Sequence, residues 1–250
     1  QVRPDSGYSL TIGNQEVGRG NRKDVRNAVE AARGAQKAWG GTSGHGRAQV
    51  LYYLAENLEE RRPEFVSMVG SREFEACLSS IFAYAAWADK YESVVHQTPM
   101  RGQTYTLHEP IGVMGVVCPD ESPLLGFLQL VLPGIAMGNA VVAFPSERNP
   151  VPALELYRTL EASDLPGGVL NIISGLRAEI CPTLAGHDDV DSVWYFGDAG
   201  GSTEVELLSI GNLKRTWTGL GRELDWYTVD SRECLRHATQ VKNIWIPMGD

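Results

Sequence analysis

Apolar residues recur at helical spacing through the first third of the chain. Asn21 is a predicted N-cap with Asp24 three residues later, and the apolar positions that follow share one face of a helix. Three more helices are predicted: one around Leu51, one beginning near Pro63 and one ending at Trp87. The simplest interpretation of these stripes is core packing.

The pattern changes period near residue 100. Thr104 and Thr106 favour a strand, and the preceding Arg101-Gly102 pair is typical of a hairpin turn. We therefore expect a hairpin over residues 98–110.

Beyond this hairpin, strands and helices alternate. The predicted strands are 113–118, 140–144, 169–173, 192–196 and 214–220, and the predicted helices between them are 123–137, 150–162, 177–185 and 200–210. Such alternation implies right-handed crossovers and a parallel sheet with helices on both faces. The expected fold class is α/β, a Rossmann-like doubly wound parallel sheet.

The composition is that of an ordinary globular protein. Of the 250 residues, 43% are hydrophobic and 21% are charged, and the formal net charge is −9. This charge, without a basic stripe, argues against nucleic acid as a partner. Residues 122–146 are uncharged, but Pro133, Gly138 and Asn139 interrupt them, so we expect a buried helix and strand and no membrane partner.

The cysteines are widely spaced along the chain, at Cys77, Cys118, Cys181 and Cys234. They form no C-x-x-C pair, so we expect no metal site, no disulfide framework and a cytoplasmic location. We expect Cys118 to be a structural thiol whose pKa is raised by Asp120 and Glu121, and Cys234 to be exposed in a linker. Because the chain opens at Gln1, without Met or a signal peptide, we expect it to be a piece of a longer product.

Four motifs stand in order along the chain: E-P-I-G-V at 109–113, G-N-A-V-V at 138–142, L-P-G-G-V-L-N-I-I-S-G at 165–175 and V-D-S-V-W-Y-F-G-D at 190–198. They resemble the aldehyde dehydrogenase superfamily, which has E-P-(I/V)-G-V, G-N-x-V-V, P-x-G-V-x-N-(I/V)-V-x-G and V-D-x-V-x-F-T-G-S. The resemblance runs over residues 17–226 and implies the dinucleotide-binding fold of that family.

The resemblance also points to catalytic positions that this chain has lost. The Asn of the family's P-W-N-(F/Y)-P segment donates to the oxyanion, and its position is Glu121, whose ionised carboxylate has no donor. The general base of the E-L-G-G-K segment falls at Gly219, although a slip of a few residues would nominate Glu223. The family's nucleophilic Cys lies in a domain that should follow, but only about twenty residues separate Arg222 from the closing strand at Val241. We expect no catalytic residue here.

The cofactor positions implied by the resemblance are degenerate. The family's K-x-x-E, which holds the adenosine ribose, corresponds to Phe144 through Glu147, so the Glu is kept and the Lys is lost. The T-G-S loop, whose Ser touches the pyrophosphate, retains Gly197 but has Asp198 for the Ser. An Asp at a helix N-terminus satisfies the helix dipole and repels an anion. Arg177 leaves one phosphate contact open, and we expect no cofactor, with NAD bound at most weakly.

The end of the chain resembles the family's closing strand. We expect residues 1–232 to form an NAD-binding-like domain and residues 233–250 to form a linker and a C-terminal oligomerisation strand, with the catalytic domain absent. A short apolar strand needs a sheet edge, because its backbone groups are otherwise unpaired. The resemblance places it beside residues 103–108, with an assembly across a subunit interface favoured over a tail folded onto its own subunit.

The leading hypothesis is a catalytically inactive module that packs beside an authentic aldehyde dehydrogenase unit. The expected partners are a second copy, giving a homodimer, or a fused dehydrogenase unit, as in the subfamily in which a shortened second copy follows an ordinary one. One alternative is a regulatory nucleotide-binding domain that uses Glu147 and Arg177. Another is a part of an NAD(P)-dependent aldehyde dehydrogenase whose chemistry lies in a different domain. A true oxidoreductase with an unusual thiol is the least favoured.

Overall fold

A computed structural model of the chain describes residues 9–12, 15–91, 93–97, 99 and 101–248. Parts of three predictions lie outside the described residues: the domain start at 1–8, hairpin residues 98 and 100, and tail residues 249–250. The described chain begins with strands β1 (Ser9–Ile12) and β2 (Gln15–Gly18), which pair antiparallel.

Four helices follow, and all four are confirmed. They are α1 (Arg22–Gly41), α2 (Gly44–Glu60), α3 (Arg62–Val69) and α4 (Ser71–Lys90). Helix α1 begins with the predicted cap. The Asn21 side chain accepts from the Asp24 N–H at 3.3 Å, and Asp24 Oδ2 accepts from the Asn21 N–H at 2.9 Å. This reciprocal capping box fixes the start of the helix.

The alternation of strands and helices is confirmed as well, with boundaries shifted by a few residues. After β3 (Val94–His96) and β4 (Gly102–Pro110), the order is β5 (Val113–Val117), α5 (Leu125–Ala136), β6 (Ala140–Phe144), α6 (Val151–Ala162), β7 (Leu170–Ile172), α7 (Arg177–Ala185), β8 (Ser192–Tyr195), α8 (Ala199–Leu208), a 3₁₀ turn (Ser209–Asn212), β9 (Arg215–Thr218), α9 (Ser231–His237) and β10 (Thr239–Pro247). The predicted helix 200–210 thus tightens into a 3₁₀ turn at its end.

Strands β5 to β9 form one parallel sheet in the order β7-β6-β5-β8-β9. The chain therefore adds β6 and β7 on one side of β5, and then adds β8 and β9 on the other side. This is the predicted doubly wound α/β fold, and the order reverses between β5 and β8. In such sheets the ligand crevice lies at the carboxyl ends of the strands beside this reversal.

Both faces of the parallel sheet are buried. Val113, Val117 and Phe144 pack in a cluster with residues of α1 and α7, whereas Met114 and Val116 pack with residues of α4 and α5 on the other face. All residues of α5 are buried. The uncharged run 122–146 is therefore a core helix and strand, as predicted, and no helix in the described part of the chain is long and apolar enough to cross a membrane.

A second, antiparallel sheet has the order β10-β4-β3, and we call it the arm. Its register runs from Thr239 opposite Pro110 to Pro247 opposite Gly102. The tail strand thus lies on the hairpin, as predicted, but it pairs within its own chain, which was the less favoured of the two alternatives. The hairpin also differs from the prediction, because its first strand is β3 and begins at Val94.

The predicted linker before the tail is in part the helix α9, and the prediction that Cys234 is exposed was wrong. Asp230 caps α9 by accepting from the Arg232 N–H at 2.9 Å. The first two turns then place Cys234 and Leu235 fully inside the core, where both are 0% exposed. The reason is that α9 packs on α5 and directs the chain back toward β4.

Asn139 joins the two sheets. Its side chain is fully buried, and its Oδ1 accepts from the backbone N–H groups of Ile111 (2.7 Å) and Gly112 (2.9 Å), which connect β4 to β5. Its Nδ2 donates to the carbonyl of Gly134 in α5 (3.1 Å) and to that of Ala238, just before β10 (2.9 Å). One amide therefore satisfies two donors and two acceptors that converge from three parts of the chain.

We expect Asn139→Ala to destabilise the protein by about 3–5 kcal/mol, because the N–H groups of Ile111 and Gly112 and the carbonyl of Ala238 lose their partner. Urea unfolding followed by circular dichroism measures this loss. Asn27→Ala is the matched control, since Asn27 is exposed on α1 and its replacement should change the stability by less than about 0.5 kcal/mol. Equal stabilities of the two variants would contradict the role assigned to Asn139.

Candidate functional site

The crevice expected for this fold lies where β5, β6 and β8 end, beside the first turns of α7 and α8. Most of the residues singled out by sequence lie at these strand ends: Glu121, Phe144, Glu147, Arg177, Gly197 and Asp198, with Gly219 after the edge strand β9.

The central feature of this edge is an ion pair between Asp120 and Arg177. The guanidinium donates from Nη1 to Asp120 Oδ2 at 2.9 Å and from Nη2 to Oδ1 at 3.0 Å, and Nη2 also donates to the Cys118 carbonyl at 2.7 Å. Each side chain is only 15% exposed. Two parallel hydrogen bonds in a largely buried setting are the strong form of this interaction. Arg177, which sequence left available to a phosphate, is thus bound to the chain's own carboxylate.

Asp120 has further partners from the loop after β6. Its Oδ1 accepts from Ser146 Oγ at 2.8 Å and from the Glu147 N–H at 2.9 Å. Burial by itself raises the pKa of Asp120, but the charge of Arg177 and the hydrogen bonds from Ser146 and Arg177 outweigh it and hold this pKa below its ordinary value. Asp120 therefore ties the ends of β5 and β6 to the start of α7 as a carboxylate.

The Glu147 carboxylate also has a hydrogen-bond partner within the chain. Its Oε2 accepts from the backbone N–H of Arg177 at 2.7 Å, at the first residue of α7. A carboxylate at a helix N-terminus takes the place that a phosphate would otherwise fill. Two of the predicted cofactor residues, Glu147 and Arg177, thus lie close together, and they are hydrogen-bonded to each other.

The start of α8 is capped in the same way. Asp198 accepts from the Gly201 N–H at 2.9 Å and from the Tyr195 hydroxyl at 3.1 Å. The Gly201 hydrogen bond is the main reason that the pKa of Asp198 lies below its ordinary value. The Tyr195 ring lies so close to this turn that a Cβ on Gly197 would stand 2.6 Å from its hydroxyl oxygen. Asp198 therefore caps the start of α8, as predicted, and the buried Tyr195 donates to its carboxylate.

The Phe144 side chain lies in the hydrophobic core. It is 1% exposed and belongs to the cluster of α1, α7 and the sheet. A lysine at this position of the family would extend to a ribose, whereas the phenyl ring turns inward and contributes packing.

The two positions where the family has its oxyanion donor and its base lie apart in the sheet. Glu121 is exposed after β5, and Gly219 follows β9, with β8 between the two strands. The Gly219 N–H donates to the Tyr195 carbonyl at 2.8 Å, and a Cβ on Gly219 would stand 3.1 Å from Cδ1 of the Phe196 ring. Glu223, the alternative base, is exposed beyond the sheet.

The four cysteines are buried and free. Burial raises the pKa of Cys181 to about 12 and that of Cys234 to about 11, and it raises the pKa values of Cys77 and Cys118 further. For Cys118 the direction agrees with the prediction but the cause does not, because burial rather than neighbouring carboxylates raises its pKa, and Arg177 opposes the shift. None of these thiols has the lowered pKa of a nucleophile.

The residues at this edge do not suit a dinucleotide. The carboxylates of Asp120, Glu147 and Asp198 already line it, and the buried cation Arg177 is paired with the first of them. Two added phosphate charges would face these carboxylates, of which Asp120 is only 15% exposed. Within the described residues, no group of three or more His, Cys, Asp or Glu side chains is placed to hold a metal ion.

Sequence reasoning missed Asp120 and Tyr195 as organising residues. A signal for Asp120 was present: a charged residue follows the buried strand β5 directly, in the position of the Trp in the family's P-W-N segment. Its partner Arg177 lies 57 residues away, and only the order of the strands brings the two together.

Known proteins resemble this chain in fold and in sequence. The model of the aldehyde dehydrogenase family matches residues 13–222. Aldehyde dehydrogenase 1A1 of Equus caballus is 34% identical over 225 residues, which cover 82% of this chain and 44% of the relative. Aldehyde dehydrogenase family 2 member B4, mitochondrial, of Arabidopsis thaliana is 34% identical over 219 residues, which cover 82% of this chain and 41% of the relative.

Solved structures give the same picture for the fold. PnpE from Pseudomonas sp. WBC-3 superposes with a TM-score of 0.83 at 24% identity, covering 88% of this chain and 49% of that one. The NAD+ complex of aldehyde dehydrogenase from Bacillus cereus gives a TM-score of 0.82 at 24% identity, covering 87% and 48%. The chain thus spans less than half the length of the curated relatives that it matches.

We expect Asp120→Asn to lower the stability by about 3 kcal/mol at pH 6, because it leaves the Arg177 guanidinium buried without its counter-charge. The folded-state pKa of Asp120 is depressed, so its contribution is present above the ordinary pKa of about 4 and is lost as the pH falls through the folded value. Urea unfolding at pH 6, 5, 4 and 3 should therefore show the difference from the wild type shrinking toward low pH.

Glu161→Gln is the control for this series, because it makes the same charge change at an exposed position of α6. Its effect should stay within about 0.5 kcal/mol at every pH. A stability difference for Asp120→Asn that did not vary with pH would contradict the assignment.

Proposed function

The chain belongs to the aldehyde dehydrogenase family, and we propose that it is a non-catalytic module of that family which packs beside an authentic dehydrogenase unit and supports its assembly. The observation that carries the first part is the ion pair of Asp120 with Arg177, together with the Glu147 cap, at the edge of the sheet where the cofactor of the family would bind. The chain fills this edge with its own charged groups.

The residues at the positions of the family's oxyanion donor and general base support the same proposal. Glu121 has no hydrogen-bond donor in its ionised form, and Gly219 has no side chain to move a proton. The chain passes from β9 through residues 219–230 to α9 and the tail strand, so the domain that carries the family's nucleophile has no counterpart between β9 and β10. The four cysteines present are buried thiols.

The arm supports the second part of the proposal. Its outer strands β10 and β3 each have one edge without a partner in the described chain, and unpaired edges are templates for another strand. Several apolar side chains on these strands are exposed: Val94, Val95, Val241, Trp245 and Ile246. A second copy or a fused dehydrogenase unit that adds to this sheet would cover them.

We further propose that the chain is the shortened second copy of a two-unit protein similar to aldehyde dehydrogenase family 16 member A1. The support is the resemblance of the segments 117–121, 194–197 and 245–250, of which residues 249–250 lie outside the described part. We place the module in the cytoplasm, because its four free and buried cysteines suit a reducing compartment.

The alternative of a regulatory nucleotide site receives less support. It would need Glu147 and Arg177 to turn from their present partners toward a ligand, which would break the hydrogen bonds that connect β5, β6 and α7. It would also expose Asp120 to the added phosphate charge.

We expect the isolated chain neither to oxidise aldehydes nor to bind NAD with micromolar affinity. The lost Lys at Phe144 and the carboxylate of Asp198 each remove about 1–3 kcal/mol of ribose or phosphate contact. Titration calorimetry and an NADH absorbance assay test this expectation, with a complete aldehyde dehydrogenase as the positive control. Asp198→Ser should improve any residual affinity, and micromolar binding by the unaltered chain would refute the proposal.

We expect the arm to mediate assembly. Val95→Lys and Trp245→Lys add charges to its two outer strands, so each should shift the mass measured by light scattering from dimer to monomer without loss of secondary structure. Truncation before Val241 should do the same. Tyr53→Lys is the matched control, because Tyr53 is also an exposed aromatic residue, 50% exposed, but lies on α2. Masses that are the same for all of these variants would remove the assembly role.

A further inference from the structure

We propose that a small oxyanion of the phosphate or sulfate type binds in a cavity at the amino ends of β8 and β9, on the opposite edge of the sheet from the dinucleotide crevice. The cavity has a volume of about 290 Å³, and its lining includes Ser192, Trp194, Arg215, Trp217, Arg236 and His237. This site is independent of the assembly role.

Strand register and helix packing bring these side chains together. Ser192 pairs with Arg215 and Trp194 pairs with Trp217 in the parallel ladder, and residues two apart on a strand share one face. The last residue of helix α9, His237, packs against that face. The His237 ring stacks on the Trp217 ring at 4.1 Å and 7°, which leaves the edge of the imidazole, with its nitrogens, for hydrogen bonding in the plane.

Two arginines supply positive charge. Arg215 is positioned by one hydrogen bond, from Nη1 to the Thr239 carbonyl at 2.8 Å, and its guanidinium has further N–H groups. Arg236 forms only a long ion pair with Glu233, at 3.8 Å, and both side chains are more than half exposed. An exposed pair of this kind is weak, so an oxyanion between the two arginines competes with Glu233 for the Arg236 guanidinium.

Ser192 points to a ligand independently of the charges. The residue is 0% exposed, and among the described residues its Oγ has no hydrogen-bond partner. A buried hydroxyl without a partner is unfavourable and uncommon in native proteins. An acceptor oxygen in this cavity would satisfy it.

His237 makes the site sensitive to pH. Burial has the largest effect and lowers the pKa of His237. The neighbouring charges of Arg236 and Arg215 lower it further, and the charge of Glu233 opposes them. A bound oxyanion adds negative charge beside the ring, so it raises the pKa of His237 toward or above its ordinary value. By linkage, the affinity for the anion rises as the pH falls through the His237 titration.

The test is a titration of the full chain with sulfate, which stays a dianion between pH 5.5 and pH 7.5. The NMR signals of the His237 ring report the binding. We expect a saturable shift, tighter binding at pH 5.5 than at pH 7.5, and a raised pKa of His237 in saturating sulfate. A shift that does not saturate, or an affinity independent of pH, would overturn the proposal.

Three variants sharpen this test. Arg236→Gln should weaken sulfate binding about tenfold or more, because a charge-assisted contact is lost. Arg26→Gln makes the same charge change at an exposed position of α1 and should leave the affinity unaltered. Ser192→Ala should weaken binding while leaving the stability without sulfate equal or higher, since it removes a hydroxyl that has no partner. Equal affinities of Arg236→Gln and Arg26→Gln would show screening rather than a site, and would overturn the proposal.

A comparison of inorganic phosphate with phenyl phosphate then identifies the source of the anion. Tighter binding of phenyl phosphate would support an organic phosphate that contacts the Trp217 and Trp194 rings. Equal binding would support a free inorganic ion in the same site. Failure of this site would leave the assembly proposal unchanged, because the two rest on different residues.

Discussion

The buried amide of Asn139 is the interaction on which the arrangement of the two sheets depends. It bonds to the link between β4 and β5, to the last turns of α5 and to the residue before β10, so it fixes where the arm leaves the domain and where the tail returns. The arm is therefore a continuation of the core rather than an appended segment. Its position relative to the parallel sheet is set by hydrogen bonds that no solvent can replace.

The need of polar groups for hydrogen-bond partners also explains the arrangement at the carboxyl ends of the parallel strands. In a doubly wound fold this edge has helix N-termini and converging loops, which are favourable places for an anionic ligand. Here Glu147 caps α7, Asp198 caps α8, and Asp120 pairs with Arg177 between them. The helix N-termini at this end of the sheet are thus capped by the chain's own carboxylates, and the guanidinium between them is paired with a third.

Much of the fold was predictable because its signals are local. The capping box of α1, the strand β6 and the helix α7 were each placed correctly from short segments with caps, turns or uncharged runs. The errors lie where a local signal is weak. β3 is a strand of three residues, and α9 is a helix of seven, so the hairpin start and the burial of Cys234 depend on contacts with distant parts of the chain.

The sequence by itself determined the fold class and the resemblance to the family, because these depend on residue types at fixed spacings. The substitutions at Glu121, Phe144, Asp198 and Gly219 are visible without coordinates. Only the tertiary structure decided which distant groups meet: that Arg177 pairs with Asp120, that β10 pairs with β4 of its own chain, and that Arg215 and His237 line one cavity. The physical reason is that each of these pairs joins elements distant in sequence, and strand order and helix packing, rather than local propensity, set which side chains meet.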